Sequence, residues 1–214
     1  MGIQENLNTV IKSTPKDVTL VAVSKTKKNS AILEAYQLGQ RIFGENKVQE
    51  LVEKAEELPK DINWHMIGHL QTNKVKFIAP FVSLIHGVDS IKLLKEINKR
   101  AEKNNRVIDC LLQVHIATES TKFGFDIPEV KQAINNAKEF QNIRIVGLMG
   151  MATFTDNKLQ VIQEFNNLKV VFDTIKNEHI TTLSMGMSGD YKLAIEQGST
   201  MVRVGSAIFG HRNK

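Results

Sequence analysis

Residues 19–28 read TLVAVSKTKK, and this stretch distinguishes between two kinds of α/β fold. The apolar, β-branched run Thr19–Ser24 predicts a buried strand, and the polar pair Asn29-Ser30 opens a helical pattern soon after it. A doubly wound nucleotide-binding sheet carries a glycine-rich phosphate loop after its first strand. Residues 24–28 contain no glycine. The junction therefore favours a closed barrel over an open sheet.

The rest of the chain alternates in the same way between short apolar runs and Lys/Glu-rich amphipathic stretches. Such alternation is typical of parallel strands joined by right-handed helical crossovers, and eight units predict a (β/α)8 (TIM) barrel. An extra helix at Ile3–Ser13 precedes the first strand, and we expect one domain over residues 1–214. The eight strand candidates, of which the seventh is the weakest, are Leu20–Val23, Arg41–Phe43, Trp64–Ile67, Val82–His86, Ile108–Ile116, Ile143–Met149, Thr182–Leu183 and Met201–Val204.

The composition is that of a soluble globular protein, with 42% hydrophobic and 24% charged residues. No apolar run has the length that a membrane span needs, and the N-terminus lacks the pattern of a secretory signal. The single cysteine, Cys110, lies in an apolar run and has no partner for an internal disulfide. A buried, inert thiol in the reducing cytoplasm is therefore expected.

The net charge of +5 raises the question of nucleic-acid binding. Lysines and arginines are, however, dispersed among acidic residues, and no aromatic-basic motif is present. The segment Glu50–Lys54 is an example, and such mixed patterns are typical of solvated helix faces. We expect the charge to provide solubility and some attraction for anionic ligands, without nucleic-acid or membrane partners.

Lys25 follows the first predicted strand and is a candidate reactive residue. The strand period of two places it on the same face as Val21 and Val23, so its amine is partly desolvated. Desolvation lowers a lysine pKa, and only the neutral amine attacks a carbonyl to form a Schiff base. The alternative is a surface lysine at the barrel rim, in a stretch that also carries Lys27 and Lys28.

Small polar residues follow the last two predicted strands, where barrels of this kind often bind phosphate. Ser188 precedes a short predicted helix, and Gly205-Ser206 offers backbone and hydroxyl donors on the neighbouring loop. Alternatively, Ser188 is only a helix cap and Gly205 only a turn residue. Their presence at both expected junctions favours a phosphate site.

Arg203 interrupts the apolar eighth strand and shares a face with Met201 and Gly205. A buried guanidinium needs a partner, which is either a buried carboxylate or a ligand nitrogen or anion. A reactive lysine, a phosphate site and a buried arginine together suit pyridoxal 5′-phosphate. Its aldehyde would react with Lys25, its phosphate would contact Ser188 and Ser206, and its ring nitrogen would face Arg203.

A metal site is not expected. His65 and His69 have the spacing of metal ligands on a helix, but Gly68 and the strand-like context argue against a helix there. We interpret both histidines as loop or rim residues.

Six motifs occur in an order typical of one family. They are Ala22–Lys27, Phe43–Asn46, Trp64–Lys74, Gly147–Met149, Leu183–Ser188 and Val202–Gly210. By these motifs the chain resembles the pyridoxal phosphate homeostasis proteins (the YggS/PROSC family), and the resemblance spans almost the whole chain.

The resemblance implies a barrel like the N-terminal domain of alanine racemase (fold type III), without its C-terminal β domain. It implies that Lys25 forms the Schiff base with the vitamin B6 cofactor pyridoxal phosphate. The implied cofactor-binding residues are Lys25, Asn46, Ile67, Met185, Ser188, Arg203, Gly205 and Ser206.

The implied function is intracellular homeostasis of pyridoxal phosphate, by buffering the cofactor and supplying it to apoenzymes, with little or no turnover. The alternative is an amino-acid racemase of the alanine racemase type. Racemisation with two bases needs a second proton donor across the ring, which in alanine racemase is a tyrosine from an added domain of the partner subunit. This chain has only Tyr36 and Tyr191, both in predicted helices, which favours the homeostasis role. We expect a monomer.

Overall fold

The computed structural model describes residues 2–119 and 123–211. It contains a closed barrel of eight parallel strands that neighbour one another in chain order, which confirms the predicted (β/α)8 architecture. The strands are β1 (Thr19–Val23), β2 (Ile42–Glu45), β3 (Asn63–Met66), β4 (Leu84–Val88), β5 (Ile108–Gln113), β6 (Ile143–Met149), β7 (Thr182–Met187) and β8 (Met201–Val204).

The helices surround the strands. Two of the longer ones start at a side-chain cap: Ser90 accepts from the backbone N–H of Leu93, and Asn157 accepts from that of Gln160. The α-helices of the described residues are α1 (Ile3–Lys12), α2 (Asn29–Gln37), α3 (Val48–Glu57), α4 (Val75–Ile78), α5 (Ile91–Lys103), α6 (Val130–Ala137), α7 (Lys158–Ile175), α8 (Tyr191–Glu196) and α9 (Ser206–Phe209).

Apolar residues are divided between two cores because successive side chains of a strand point to opposite faces. The larger core lies between the strands and the helices and includes Ala22 and Val202. The smaller core fills the barrel interior. Its buried members are Val21, Leu84, Leu111, Met149 and Met201.

β1 and β8 close the barrel, and their register sets the position of the predicted arginine. Val21 pairs with Arg203 and Thr19 with Met201. Since Val21 and Met201 both belong to the interior core, Arg203 lies on the interior face, as the strand period predicted.

The sheet carries irregularities in β4, β6 and β7. The register shifts between Ile85 and Val88, between Ile145 and Gly147, and again between Ser184 and Met187. Bulges of this kind bend a strand locally and re-aim its side chains, and they are common near functional sites. The segments in β4 and β7 contribute polar side chains to the barrel interior.

None of the helices in the described parts of the chain is long and apolar enough to cross a membrane. Cys110 is buried and free, and burial raises the pKa of its thiol. A protonated, inaccessible thiol is unreactive, in agreement with the sequence prediction.

Candidate functional site

Lys25 lies just beyond the carboxyl end of β1, at the mouth of the barrel. The backbone N–H of Ser24 donates to the carbonyl of Gly44 (3.0 Å), so the pairing of β1 with β2 continues up to the residue before the lysine. Ser24 is fully buried and Lys25 is half-buried. The predicted placement, a lysine directly after a buried strand, is confirmed.

The next residue is held in a strained conformation. Thr26 has a φ of 65°, in the left-handed region that a β-branched residue rarely adopts. Its backbone N–H donates to the carboxylate of Glu50 on α3. Strain of this kind, about 1–3 kcal/mol, persists only where the surroundings enforce it, and it is common at ligand sites.

A buried ion pair supports the end of β1 from the helix side. Lys54 Nζ lies 2.8 Å from Glu45 Oε1, 2.7 Å from Glu50 Oε1 and 2.8 Å from the carbonyl oxygen of Ser24. The Ser24 hydroxyl donates to Glu45 Oε1 at 2.6 Å. Burial raises the pKa of Glu45, and its contacts with Lys54 oppose that rise. The residue that precedes Lys25 is therefore fixed through both its backbone and its side chain.

The sequence prediction for Lys54 was wrong. The Glu/Lys pattern of α3 predicted a solvated helix face, but Lys54 is only 5% exposed. Its partner Glu45 belongs to β2, and a contact between a strand and the following helix cannot be read from the helix pattern alone. The carboxylate of Glu45, at the end of an otherwise apolar strand, was the available signal.

Arg203 is 4% exposed and lies inside the barrel. Its Nη1 donates to the carbonyl and the hydroxyl oxygen of Ser184, at 3.0 and 2.6 Å, and its Nη2 donates to the carbonyl of Gly150 at 3.1 Å. Burial lowers the pKa of Arg203 to about 10, and the charge of Asp190 opposes that shift. The guanidinium is therefore still charged at neutral pH.

The partners of Arg203 leave donors for a ligand. A guanidinium has five N–H donors, and the three bonds to Ser184 and Gly150 use three of them. Nε and one hydrogen of Nη2 donate to no acceptor among residues 2–119 and 123–211, and no carboxylate within those ranges forms an ion pair with Arg203. Of the two partners considered from the sequence, the ligand is the one that these contacts favour.

Two buried histidines continue the polar contacts of Arg203 across the barrel. The hydroxyl of Ser184 lies 3.3 Å from His86 Nδ1, and His86 Nε2 lies 3.1 Å from His65 Nδ1. Burial lowers the pKa of His65 to about 3 and that of His86 well below its usual value. Both imidazoles are therefore neutral.

Ser188 joins the loops that follow β7 and β8. Its Oγ accepts from the backbone N–H groups of Gly205 (3.0 Å) and Ala207 (3.3 Å). An oxygen that accepts two N–H bonds still has its own hydrogen to donate, and Ser206 is exposed beside it. These small groups form a compact set of donors, which is the chemistry that a phosphate group requires.

The remaining predicted residues differ in placement. The side chain of Ile67 lies directly over Gly44, since a Cβ added to that glycine would be 3.1 Å from it. The backbone of Asn46 packs against Gly68. Ile67 and Asn46 are both half-buried at the mouth of the barrel. Met185 is instead fully buried in the core between strands and helices, so the structure does not bring it to the barrel interior.

The two histidines considered as metal ligands do not share a site. The described residues contain no group of three or more metal-ligating side chains. His69 is a rim residue, as predicted, and contacts Asp89 at 3.0 Å and the ring of Phe123. The prediction that His65 is also a loop or rim residue was wrong. It lies within β3 between Trp64 and Met66, which face the helices, so its side chain points into the barrel and is only 5% exposed.

The profile of the alanine racemase N-terminal domain family matches residues 2–213. The pyridoxal phosphate homeostasis protein of Aquifex aeolicus is 41% identical over 197 residues, which cover 90% of this chain and 86% of that protein. This chain belongs to the alanine racemase N-terminal domain family, in the group of the pyridoxal phosphate homeostasis proteins. The family predicted from the six sequence motifs is confirmed.

Solved structures of family members have the same barrel. PipY of Synechococcus elongatus, solved without pyridoxal phosphate, superposes with a TM-score of 0.92 at 34% identity, covering 97% of this chain and all of that one. The same protein with pyridoxal phosphate bound gives a TM-score of 0.88. Alanine racemase of Clostridium difficile, at 16% identity and a TM-score of 0.80, shares the fold over 56% of its own length.

The buried histidines of this family member lead to a prediction about acid stability. The folded-state pKa of His65 is about 3, below the value of about 6.5 in an unfolded chain, so at pH values between them only the unfolded state binds the proton. This contribution to stability is present above pH 6.5 and decreases as the pH falls. Between pH 7 and pH 5 it should reduce the free energy of unfolding by about 2 kcal/mol.

Denaturant unfolding at the two pH values, compared with a His65→Gln variant, measures this contribution. The variant should lose less stability on acidification than the unmodified chain. Equal losses in the two proteins would show that His65 is protonated in the folded state as readily as in the unfolded state.

Proposed function

We propose that this chain binds pyridoxal 5′-phosphate as a Schiff base on Lys25 and serves intracellular homeostasis of that cofactor. The amine of Lys25 adds to the aldehyde carbon, a C=N bond replaces the C=O bond, and the aldehyde oxygen leaves as water. When bound, the cofactor supplies a conjugated ring that can stabilise a carbanion. The observation that supports the proposal is the position of Lys25, Arg203 and the Ser188 donor set at the carboxyl ends of three consecutive strands, β1, β8 and β7.

Arg203 and Ser188 would hold the two ends of the ligand. The free donors of Arg203 suit an acceptor such as the pyridine nitrogen, and a guanidinium cannot accept a proton from that nitrogen. The ring nitrogen would therefore remain unprotonated, which weakens its capacity to stabilise a carbanion. The site is better suited to holding the cofactor than to transforming amino acids.

Ser188 and the residues around Gly205 would bind the phosphate, and this assignment predicts a ligand-dependent effect. Replacing Ser188 with alanine removes a hydroxyl donor and the contact that joins the two loops. We expect the affinity for pyridoxal phosphate to fall about tenfold, a typical loss for a hydrogen bond to a charged group. The affinity for pyridoxal, which has no phosphate, should change little.

Titration of the variant and the unmodified chain with both ligands, followed by visible absorbance, gives the four affinities. An equal loss for pyridoxal and pyridoxal phosphate would place the phosphate away from Ser188.

The homeostasis role rests on the relatives named pyridoxal phosphate homeostasis protein and on the half-buried position of Lys25. A rim position allows water to reach the Schiff base, so that binding is reversible. In this role the chain would act in the cytoplasm as a monomer and supply the cofactor to apoenzymes. Incubating the loaded chain with a purified aminotransferase apoenzyme should restore aminotransferase activity, while a chain whose Schiff base was first reduced should not.

The racemase alternative finds no second base among the tyrosines. The hydroxyl of Tyr191 bonds to Ser13 Oγ at 2.8 Å, outside the barrel, and the hydroxyl of Tyr36 bonds to the carboxylate of Asp61 on the surface. Neither reaches the mouth of the barrel. We expect no significant racemisation of L-alanine by the loaded chain, and turnover that survives removal of contaminating enzymes would overturn the proposed role.

The first test of the proposal is the absorbance of the purified chain with added pyridoxal phosphate, followed by borohydride reduction and peptide mapping. A yellow species that is reduced onto the peptide containing Lys25 supports it. The absence of any reducible adduct would overturn it.

A further inference from the structure

The contacts of Arg203 belong to a longer chain of hydrogen bonds through the barrel interior. It runs from the guanidinium to the Ser184 hydroxyl (2.6 Å), on to His86 Nδ1 (3.3 Å), and from His86 Nε2 to His65 Nδ1 (3.1 Å). All four side chains are buried, with exposures between 0% and 5%. The chain connects β8, β7, β4 and β3 across the interior.

Two arrangements of hydrogens make all of these contacts. A guanidinium only donates, so Ser184 Oγ accepts from Arg203 in both. In the first, Ser184 donates to His86 Nδ1 and His86 Nε2 donates to His65 Nδ1; in the second, both of these bonds are reversed. The first is favoured because it uses the hydrogen of the buried Ser184 hydroxyl, which the second leaves without an acceptor among the described residues.

The position of these polar groups indicates that they do more than occupy space in the barrel interior. The apolar layer of the same interior contains Leu84, Leu111 and Met149, so apolar residues can fill this barrel. Burying a polar group has a cost that a hydrogen bond only partly offsets. The polar groups lie where β4 and β7 depart from regular pairing, around His86 and just after Ser184. Two of the three register shifts of the barrel, those in β4 and β7, thus occur in the strands that supply the middle of the chain; the third is in β6.

We propose that Ser184, His86 and His65 are positioning residues, which hold the Arg203 guanidinium so that its free donors face the ring nitrogen of the bound ligand. The inference rests on the proposed binding of pyridoxal phosphate. Ser184 fixes Nη1 of Arg203, His86 fixes the hydroxyl of Ser184, and His65 fixes the tautomer of His86. None of the three contacts the ligand itself.

The test compares pyridoxal phosphate with its carbocyclic analogue, in which a C–H group replaces the ring nitrogen. The ratio of the two dissociation constants reports the contact at that nitrogen and cancels effects on the aldehyde and phosphate. In the unmodified chain we expect the analogue to bind about tenfold more weakly. In Ser184→Ala the ratio should fall to about threefold or less, because the guanidinium loses its fixed orientation.

Ser199→Ala is the matched control. Ser199 is also a buried serine, 3% exposed, and its hydroxyl contacts the carbonyls of Leu183, Met185 and Met201 beside the same two strands. Its loss should lower stability and leave the ratio unchanged. A general loosening of the barrel would reduce the ratio in both serine variants and would overturn the proposal.

Two substitutions of His86 keep the test decisive if Ser184→Ala does not fold. His86→Asn retains an acceptor for the Ser184 hydroxyl and should keep most of the ratio, whereas His86→Leu should lose it. An unchanged ratio in Ser184→Ala and His86→Leu would overturn the positioning role and leave the proposed function intact. A ratio near one in the unmodified chain would also overturn it. Failure of the proposed function is distinct, since the unmodified chain would then form no reducible adduct with either ligand.

Discussion

Replacing Lys25 with alanine is expected to abolish the borohydride-reducible adduct with pyridoxal phosphate. Lys25 follows β1 at the same end of the barrel as the loop that carries Ser188, and β1 is the neighbour of the strand that carries Arg203. Without its amine no C=N bond can form at that position, but the ring and phosphate contacts remain. The variant should therefore bind pyridoxal phosphate weakly and without the yellow absorbance. Since Lys25 is half-buried at the rim, its truncation should change stability by no more than about 1 kcal/mol.

Lys27→Ala is the natural control for this experiment. Lys27 Nζ donates to the carbonyls of Phe209 (2.8 Å) and Gly210 (2.9 Å), at the end of α9, so its amine is engaged by the backbone. This variant should form the adduct normally. A fully occupied, reducible adduct in Lys25→Ala, mapped to Lys27 or Lys74, would show that another lysine carries the aldehyde.

Replacing Lys54 with methionine is expected to reduce the free energy of unfolding by about 3–5 kcal/mol. The substitution leaves the carboxylate of Glu45 buried without its cation, and removes a donor from the carbonyl of Ser24. Oε2 of Glu45 already lacks a hydrogen-bond partner among the described residues, so the remaining contacts cannot compensate. Because Ser24 precedes Lys25, the adduct should also form less completely.

Denaturant unfolding of Lys54→Met and two comparison variants tests whether the loss of stability comes from the buried ion pair. Lys169→Met removes a partly exposed partner of Asp173 at the same i, i+4 spacing as Glu50 and Lys54, and should cost no more than about 0.5 kcal/mol. The double variant Glu45→Met/Lys54→Met removes the buried charge together with its partner and should recover much of the loss. Equal effects of Lys54→Met and Lys169→Met would contradict the assignment of a buried ion pair.

The fold was largely predictable because the barrel follows from local patterns. The strands begin within a residue or two of the apolar runs that predicted them, and β1 starts at Thr19, the first residue of its β-branched run. The seventh strand was the weakest prediction, with only Thr182–Leu183 in its apolar run, and it extends to Met187. The rest of β7 is held in the sheet by pairing with β6 and β8, which its weakly apolar sequence does not predict.

The site was predictable where one strand determines a side chain's direction. Arg203 was placed by the period of two along β8, and it lies on the interior face where that period puts it. Lys25 follows the end of β1 and is half-buried, as a residue at the mouth of the barrel. Met185 was expected from the resemblance, and the regular alternation of β7 keeps it out of the interior. Ser184 contacts Arg203 inside the barrel, so the next side chain points to the core between strands and helices. The apolar run that predicted this strand ended at Leu183, so it did not show which of the later residues face inward.

The sequence by itself determined the closed barrel, the family and the placement of a lysine and a small-residue donor set at the carboxyl ends of its strands. These features depend on residues close together in the chain, or on motifs long enough to be specific. Only the tertiary structure decided that Lys54 is buried against Glu45 and that His65, His86 and Ser184 connect to Arg203. These contacts join residues from different strands and helices. Their existence depends on barrel closure and strand register, which bring distant polar groups into one low-dielectric interior where each must find a partner.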